Sequence, residues 1–183
     1  MKSIRVFGLL TSAVLVWFAA APARAQSADR LDTGIALDIS RQIERYPQFT
    51  IFDYVSGSVE NGVVTLTGKV TMPFKKTDIG RRAAQLRGVR EVVNNIDVLP
   101  VSPYDEELRL RIARAIYGNS AFWQYGARAN PPIHIIVEHG HVTLTGVVNN
   151  NVDRMLARSL ATGFGELSVT NALRTDAEMR SEP

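Results

Sequence analysis

The feature that most restricts what this 183-residue chain can fold into is an internal repeat. Val59 to Val70 lies over Val137 to Val148 at a constant offset of 78, with Val-Thr-Leu-Thr-Gly shared intact. Upstream, Ile39, Ile43 and Phe49 fall on Ile112, Ile116 and Phe122 at an offset of 73, so the second copy carries five extra residues before its first strand. Downstream, Val92, Asn94 and Ile96 fall on Val169, Asn171 and Leu173 at an offset of 77. The same order with small loop changes means one module used twice. Two copies are too few for a solenoid, so each must bury a core of its own.

Each copy opens on a helix. Ile35, Ile39 and Ile43, and again Leu108, Ile112 and Ile116, recur every fourth residue and line one stripe. Ser102 is the expected N-cap of the second copy's helix, Pro103 suits its first turn, Asp105 completes a capping-box-like pattern and Gly118 is a natural stop. A hairpin follows. Ile133, Ile135 and Val137 alternate with His134, Ile136 and Glu138, which the period of two places on the exposed face. Asn61-Gly62 is a strong hairpin turn because both positions need positive φ, and His139-Gly140 is its weaker copy. A second helix carries Ile79, Ala83 and Leu86 in copy one and Val152, Leu156 and Leu160 in copy two, ending near Gly88 or Gly163. A last strand, Val92 to Leu99 or Leu167 to Arg174, completes the unit, and the crossover helix makes it parallel to a neighbour. The predicted class is α+β: two tandem αββαβ modules, each a three-stranded mixed sheet with two helices packed on one face. The expected limits are 32–100 for module one, a stiff linker at 101–103, 104–175 for module two, and a polar tail at 176–183 that frays.

The start of the chain sets the compartment. Lys2 and Arg5 precede an apolar run from Val6 to Ala21, which closes on Ala23-Arg24-Ala25. That is the order of a secretory signal peptide over 1–25, cut before Gln26, and it points to the periplasm. The run is shorter than the roughly 20 apolar residues of a membrane span. Removing Lys2, Arg5 and Arg24 leaves 18 basic against 18 acidic residues, so the basic balance belongs to the leader and a nucleic-acid footprint is not supported. The chain has no cysteine, which excludes disulfides, thiolate catalysis, iron–sulfur ligation and a cysteine-borne lipid.

Catalytic signatures are absent from the sequence. Gly62 to Lys69 superficially resembles a phosphate loop, but five residues separate its glycines and Val70 stands where Ser or Thr is required. His134, His139 and His141 lack the further ligands of a zinc cage. No catalytic residue, metal or cofactor is expected, and no small-molecule substrate.

A first helix, a strand, [Asn/His]-Gly-x-Val-Thr-Leu-Thr-Gly, a second helix, then Gly-x-x-x-Val-x-Asn-x-[Ile/Leu] resembles the BON domain, named for bacterial osmotic-shock and nodulation proteins. The resemblance spans nearly all of the chain after the leader, in two copies. It implies an envelope protein without enzymatic activity, tied to osmotic stress and membrane integrity through binding of anionic phospholipid. Other members are chaperone-like or are appended to secretins. Several membrane-acting members are lipoproteins, but Ala25-Gln26 offers no cysteine to lipidate, so membrane contact would be peripheral.

The resemblance also points to the second module's first helix and adjoining loop, where Phe122, Trp123 and Tyr125 fall. Phe122 matches Phe49 and suits a core plug, whereas Trp123 suits either a lipid interface or the surface of the other module. In copy one, Lys75, Lys76, Arg81, Arg82, Arg87 and Arg90 are opposed only by Asp78, a local charge of +5. Attraction to an anionic surface is worth about 1 kcal/mol per basic residue. The alternative is an ordinary solvated helix face. Gly62 and Gly140 read as turn residues, Gly68 and Gly146 as places of close backbone approach, and Asn94 and Asn171 as internal hydrogen bonders. The expected partner is an anionic phospholipid surface or an envelope protein. A chaperone-like or scaffolding protein that binds polypeptide is the alternative.

Overall fold

The computed structural model describes residues 22–181, with side chains from Arg30 onward. The expected leader lies outside the described residues except for the backbone of 22–25. Module one comprises α1 (Pro22–Glu44), β1 (Tyr54–Glu60), β2 (Val63–Val70), α2 (Pro73–Ala84) and β3 (Glu91–Val98). Module two comprises α3 (Pro103–Tyr117), a 3-10 turn (Ser120–Phe122) running into α4 (Trp123–Gly126), β4 (Ile133–Glu138), β5 (His141–Val148), α5 (Asn151–Leu160) and β6 (Ser168–Thr175). In both, the hairpin strands are antiparallel and the strand after the crossover helix is parallel to the second, giving orders β1-β2-β3 and β4-β5-β6. The fold is two tandem αββαβ modules with two cores. Ile35, Ile39, Ile43, Leu66, Ile79 and Ile96 anchor one, and Ile112, Ile116, Phe122, Ile135, Leu144 and Leu173 anchor the other.

An aspartate on the first helix locks each hairpin. Asn61 and Gly62 have φ of 51° and 77°, and His139 and Gly140 have 52° and 78°, so each turn aims two adjacent N–H groups the same way. Asp32 accepts from Asn61 and Gly62 at 2.6 and 2.9 Å, and Asp105 accepts from His139 and Gly140 at 2.9 and 2.8 Å. Ser102 does cap α3, its Oγ accepting from the Asp105 amide at 3.2 Å. The Asp105 carboxylate, however, is spent on the hairpin rather than on a capping box.

Gly68 and Gly146 have φ of 130° and 111°, and a Cβ at either would collide with the carbonyl oxygen of Tyr54 or Pro132. The Asn94 side-chain amide donates to the Lys76 carbonyl at 2.9 Å, and that of Asn171 to the Arg154 carbonyl at 2.8 Å, tying each last strand to its crossover helix.

Three further expectations differ from what is observed. On α5 the buried residue is Ala157, with Ala161 buried just past the helix end, beside half-buried Leu156 and Leu160, while Val152 is exposed. The helix begins at Asn151, capped by Asn150, so Val152 sits in a first turn that faces away from the core. The tail does not fray across its expected length: Asp176–Ser181 forms α6, whose Glu178 accepts from the Thr175 amide at 2.8 Å and pairs with Arg154 at 2.9 Å. Finally, the outer face of β4 is not in water, because module one covers it. The Ile51 carbonyl accepts from the Ile135 amide at 2.7 Å, Phe52 packs onto the second core, and Lys69 pairs with Glu138 at 2.5 Å. Ile136 is buried there, and the His134 ring lies 5.6 and 5.9 Å from the rings of Phe49 and Tyr54.

Candidate functional site

Of the three aromatic candidates in module two, the fold presents one to the surface. Phe122 and Tyr125 are buried, their rings 5.6 Å apart in the second core; Phe122 is the core plug its match to Phe49 suggests, and neither residue presents a surface contact. The five-residue insertion gives Tyr125 a structural task. Its hydroxyl donates to Asp153 at 2.5 Å and accepts from the Asn149 amide at 2.8 Å, pinning α4 to the start of α5. Burial, with the Asp153 hydrogen bond adding to it, pushes its pKa up to about 12. Trp123 is left 76% exposed. Across the Tyr125–Asp153 bond, Val152 and Met155 are each 73% exposed, three residues apart on α5. The N-terminal half of α5 and the short α4 therefore carry three large apolar side chains into solvent.

The basic helix of module one is less free than its sequence suggests. Lys75 is only 5% exposed, so it cannot present charge to a surface. Its Nζ donates to Asp53 at 2.6 Å and to Thr71 Oγ1 at 2.7 Å. Asp53, fully buried, also accepts from the amides of Thr50 and Thr71 at 2.8 and 2.7 Å and from both threonine hydroxyls. Burial alone would raise the Asp53 carboxyl, but Lys75, Thr71 and Thr50 hold it below the usual carboxylate range. Arg81 pairs with Asp78 at 2.5 Å, and Arg82 stacks 4.9 Å above the Tyr46 ring, whose hydroxyl donates to the same Asp78. Lys76 is half-buried; Arg87 and Arg90 are exposed and, among the described residues, make no ion pair.

The two modules build one joint with opposite polarity. At the offset of 78, Lys75 falls on Asp153 and Thr71 on Asn149. In module one the turn into the second helix is held by a carboxylate, Asp53, against a helix lysine. In module two it is held by a phenol, Tyr125, against a helix aspartate.

Between the modules lies a cleft of about 700 Å³ lined by Arg45, Phe49, Tyr54, Arg128, Asn130 and His134. His134 Nδ1 is buried without a hydrogen-bond partner. Burial depresses its pKa, opposed by the backbone of Thr50 and Asp53 and by the Asp53 charge. Buried Arg109 donates to the Val137 carbonyl at 2.7 Å. Among the described residues no group of three His, Asp or Glu is placed to hold a metal, and no helix is long and apolar enough to cross a membrane.

A pair of αββαβ units whose buried charges are consumed by internal joints defines a tandem-module protein with exposed apolar and basic surfaces. The BON domain model matches it twice, at residues 32–100 and 105–177, and the chain belongs to the BON domain family. That family is typical of periplasmic or envelope proteins, is generally non-enzymatic and is known for binding membranes or other proteins. No curated protein matches the chain. Similar solved structures include CdsD, a structural protein of the type III secretion system of Chlamydia trachomatis, at 17% identity over 80% of this chain and 99% of that one, with a TM-score of 0.26. The CdsD C-terminal domain is 15% identical over 75% of this chain and 96% of that one, also with a TM-score of 0.26.

Proposed function

We propose that the protein is a non-enzymatic periplasmic protein that binds anionic phospholipid membrane peripherally and supports envelope integrity under osmotic or other stress. The observation that carries this reading is the solvent-exposed trio Trp123, Val152 and Met155. A Trp ring suits the membrane–water interface, where one edge is apolar and the other wet. Fully burying such a side chain is worth about 1.5–3 kcal/mol, so three give weak, reversible attachment even when only partly inserted. Lys76, Arg87 and Arg90 add attraction of about 1 kcal/mol each near an anionic surface, which salt would screen. Co-sedimentation with vesicles tests the reading. Phosphatidylglycerol-containing vesicles should bring down the chain at low salt, high salt should release it, and Trp123→Ala with Val152→Ser and Met155→Ser should abolish pelleting. Equal and poor pelleting with neutral and anionic vesicles at low salt would rule it out.

The cleft between the modules favours a second reading, a chaperone-like or scaffolding protein that holds polypeptide against Phe49 and Tyr54. Its sign is suppression of client aggregation that survives Trp123→Ala and ignores salt.

A further inference from the structure

The hairpin end of module one holds an open groove whose counterpart in module two carries Tyr104 and Leu167 in place of Leu31 and Arg90. The groove measures about 880 Å³ and is lined by Arg30, Leu31, Asp38, Gly62, Arg87 and Arg90, among others. The repeat supplies the comparison. At offsets of 73 and 77, Leu31 falls on Tyr104, Arg87 on Phe164, Gly88 on Gly165 and Arg90 on Leu167. The backbone fixes the correspondence: Arg90 N donates to the Gly62 carbonyl and Leu167 N to the Gly140 carbonyl, both at 2.8 Å. In module two, the Tyr104 hydroxyl donates to the Gly165 carbonyl at 2.5 Å and Leu167 packs over Gly140. In module one Arg90 lies across Gly62 instead; Leu31 is exposed, as Tyr104 and Leu167 are in module two. The fold therefore does not require arginine at this place, since its twin is built with aromatic and aliphatic side chains.

The groove's two acids make internal contacts but keep their charge, so its lining carries three cations and two carboxylates. Asp32 is held by the Asn61 and Gly62 amides, and Asp38 pairs with Arg41 at 3.0 Å. Arg30, Arg87 and Arg90 make no ion pair among the described residues. Three guanidinium groups around one groove repel one another and together attract an anion. Their planar forks match the oxygens of a phosphate, which can accept from two donors of each. We infer that this groove is a binding site for a phosphate ester, its organic part lying against Leu31. The site is separate from the apolar trio of module two and does not depend on it.

Two probes distinguish the source of the phosphate. Titration of the chain from Gln26 with glycerol 3-phosphate, followed through the amide resonances of Gly62 and Gly88, asks whether a soluble ester binds. Pelleting of the Trp123→Ala chain with phosphatidylglycerol vesicles asks whether a lipid headgroup does. Binding to either should weaken about tenfold or more for each of Arg87→Ala and Arg90→Ala, since each loses a charged hydrogen bond. Leu31→Tyr should narrow the groove by placing a phenol beside Gly88, the counterpart of the Gly165 that Tyr104 contacts, with every charge kept. Arg158→Ala, an equal charge loss on an exposed arginine of α5, should change nothing. The inference is overturned if neither probe binds, or if Arg158→Ala weakens binding as much as Arg87→Ala. Loss of vesicle binding on Trp123→Ala alone, with glycerol 3-phosphate still bound, leaves the groove standing as a site for a soluble ester.

Discussion

Replacing Asp53 with Ala should nearly unfold module one, although the residue lies in no helix or strand. Asp53 is the hub of a fully buried joint, and its partner Lys75 is only 5% exposed. Removing one member of a buried ion pair leaves an uncompensated charge and costs about 3–5 kcal/mol. The half-buried Thr71 amide loses its acceptor as well, adding about 1 kcal/mol. The exposed Thr50 amide can turn to water and adds little. A loss of about 4 kcal/mol or more is a large share of the roughly 5–15 kcal/mol that holds a domain folded. Urea unfolding followed by far-UV circular dichroism reads it directly. Adding Lys75→Met should restore part of the loss, because the orphaned charge goes with it, giving a coupling of about 2 kcal/mol in the double-mutant cycle. A cost below about 1 kcal/mol for Asp53→Ala, or strictly additive single losses, would refute the reasoning. The pH dependence has a definite sign. With its folded pKa depressed, Asp53 contributes stability that is present above the unfolded carboxyl value of about 3.9 and lost as pH falls through the lower folded value.

The other joints give further tests. Tyr125→Phe should cost about 1–3 kcal/mol by leaving the Asn149 amide and Asp153 unpartnered, measured as a lowered urea midpoint without loss of helix content at zero denaturant. Gly146→Ala should be more damaging than most surface changes, since a Cβ meets the Pro132 carbonyl and φ is 111°; a melting temperature within a degree of the parent would contradict that close approach. His134 is kept neutral by burial, so the unfolded chain binds its proton first as pH falls below about 6.5. Stability should therefore decline from about pH 6.5 downward until the lower folded pKa is passed, and His134→Gln should remove that part of the slope in thermal melts at several pH values.

The order of elements was legible because period and spacing are local properties. Ile35, Ile39 and Ile43 declare a helix stripe, Asn61-Gly62 declares a turn, and the repeat makes each reading twice. What sequence period does not encode is which polar residue turns inward to meet another. Lys75 reads as one of six neighbouring cations, and only Asp53, in an irregular stretch before β1, makes it internal. The repeat held a hint of this, since opposite charges at equivalent positions, Lys75 and Asp153, suit internal pairs better than one shared surface. Asp32 and Asp105, identical at the offset of 73, were equally visible as candidates to lock the hairpins. His134 and Ile136 depart from the local pattern for another reason. Alternation assigns one face of β4 to solvent, yet the covering surface comes from the other module, where no local pattern points. Among the proposed contacts, Trp123 alone of its aromatic loop keeps an exposed side chain, because Phe122 and Tyr125 are drawn into the core beneath it.

Trp123 also offers the most direct measurement. The chain has two tryptophans, Trp17 and Trp123, so a protein beginning at Gln26 and excited beyond the tyrosine absorption band emits from this residue alone. Titrating phosphatidylglycerol vesicles into it at low salt should shift the emission to the blue, with quenching by lipid-borne quenchers and reversal on adding salt. Emission that stays at the wavelength of a water-exposed indole at every lipid concentration would contradict peripheral binding through this surface.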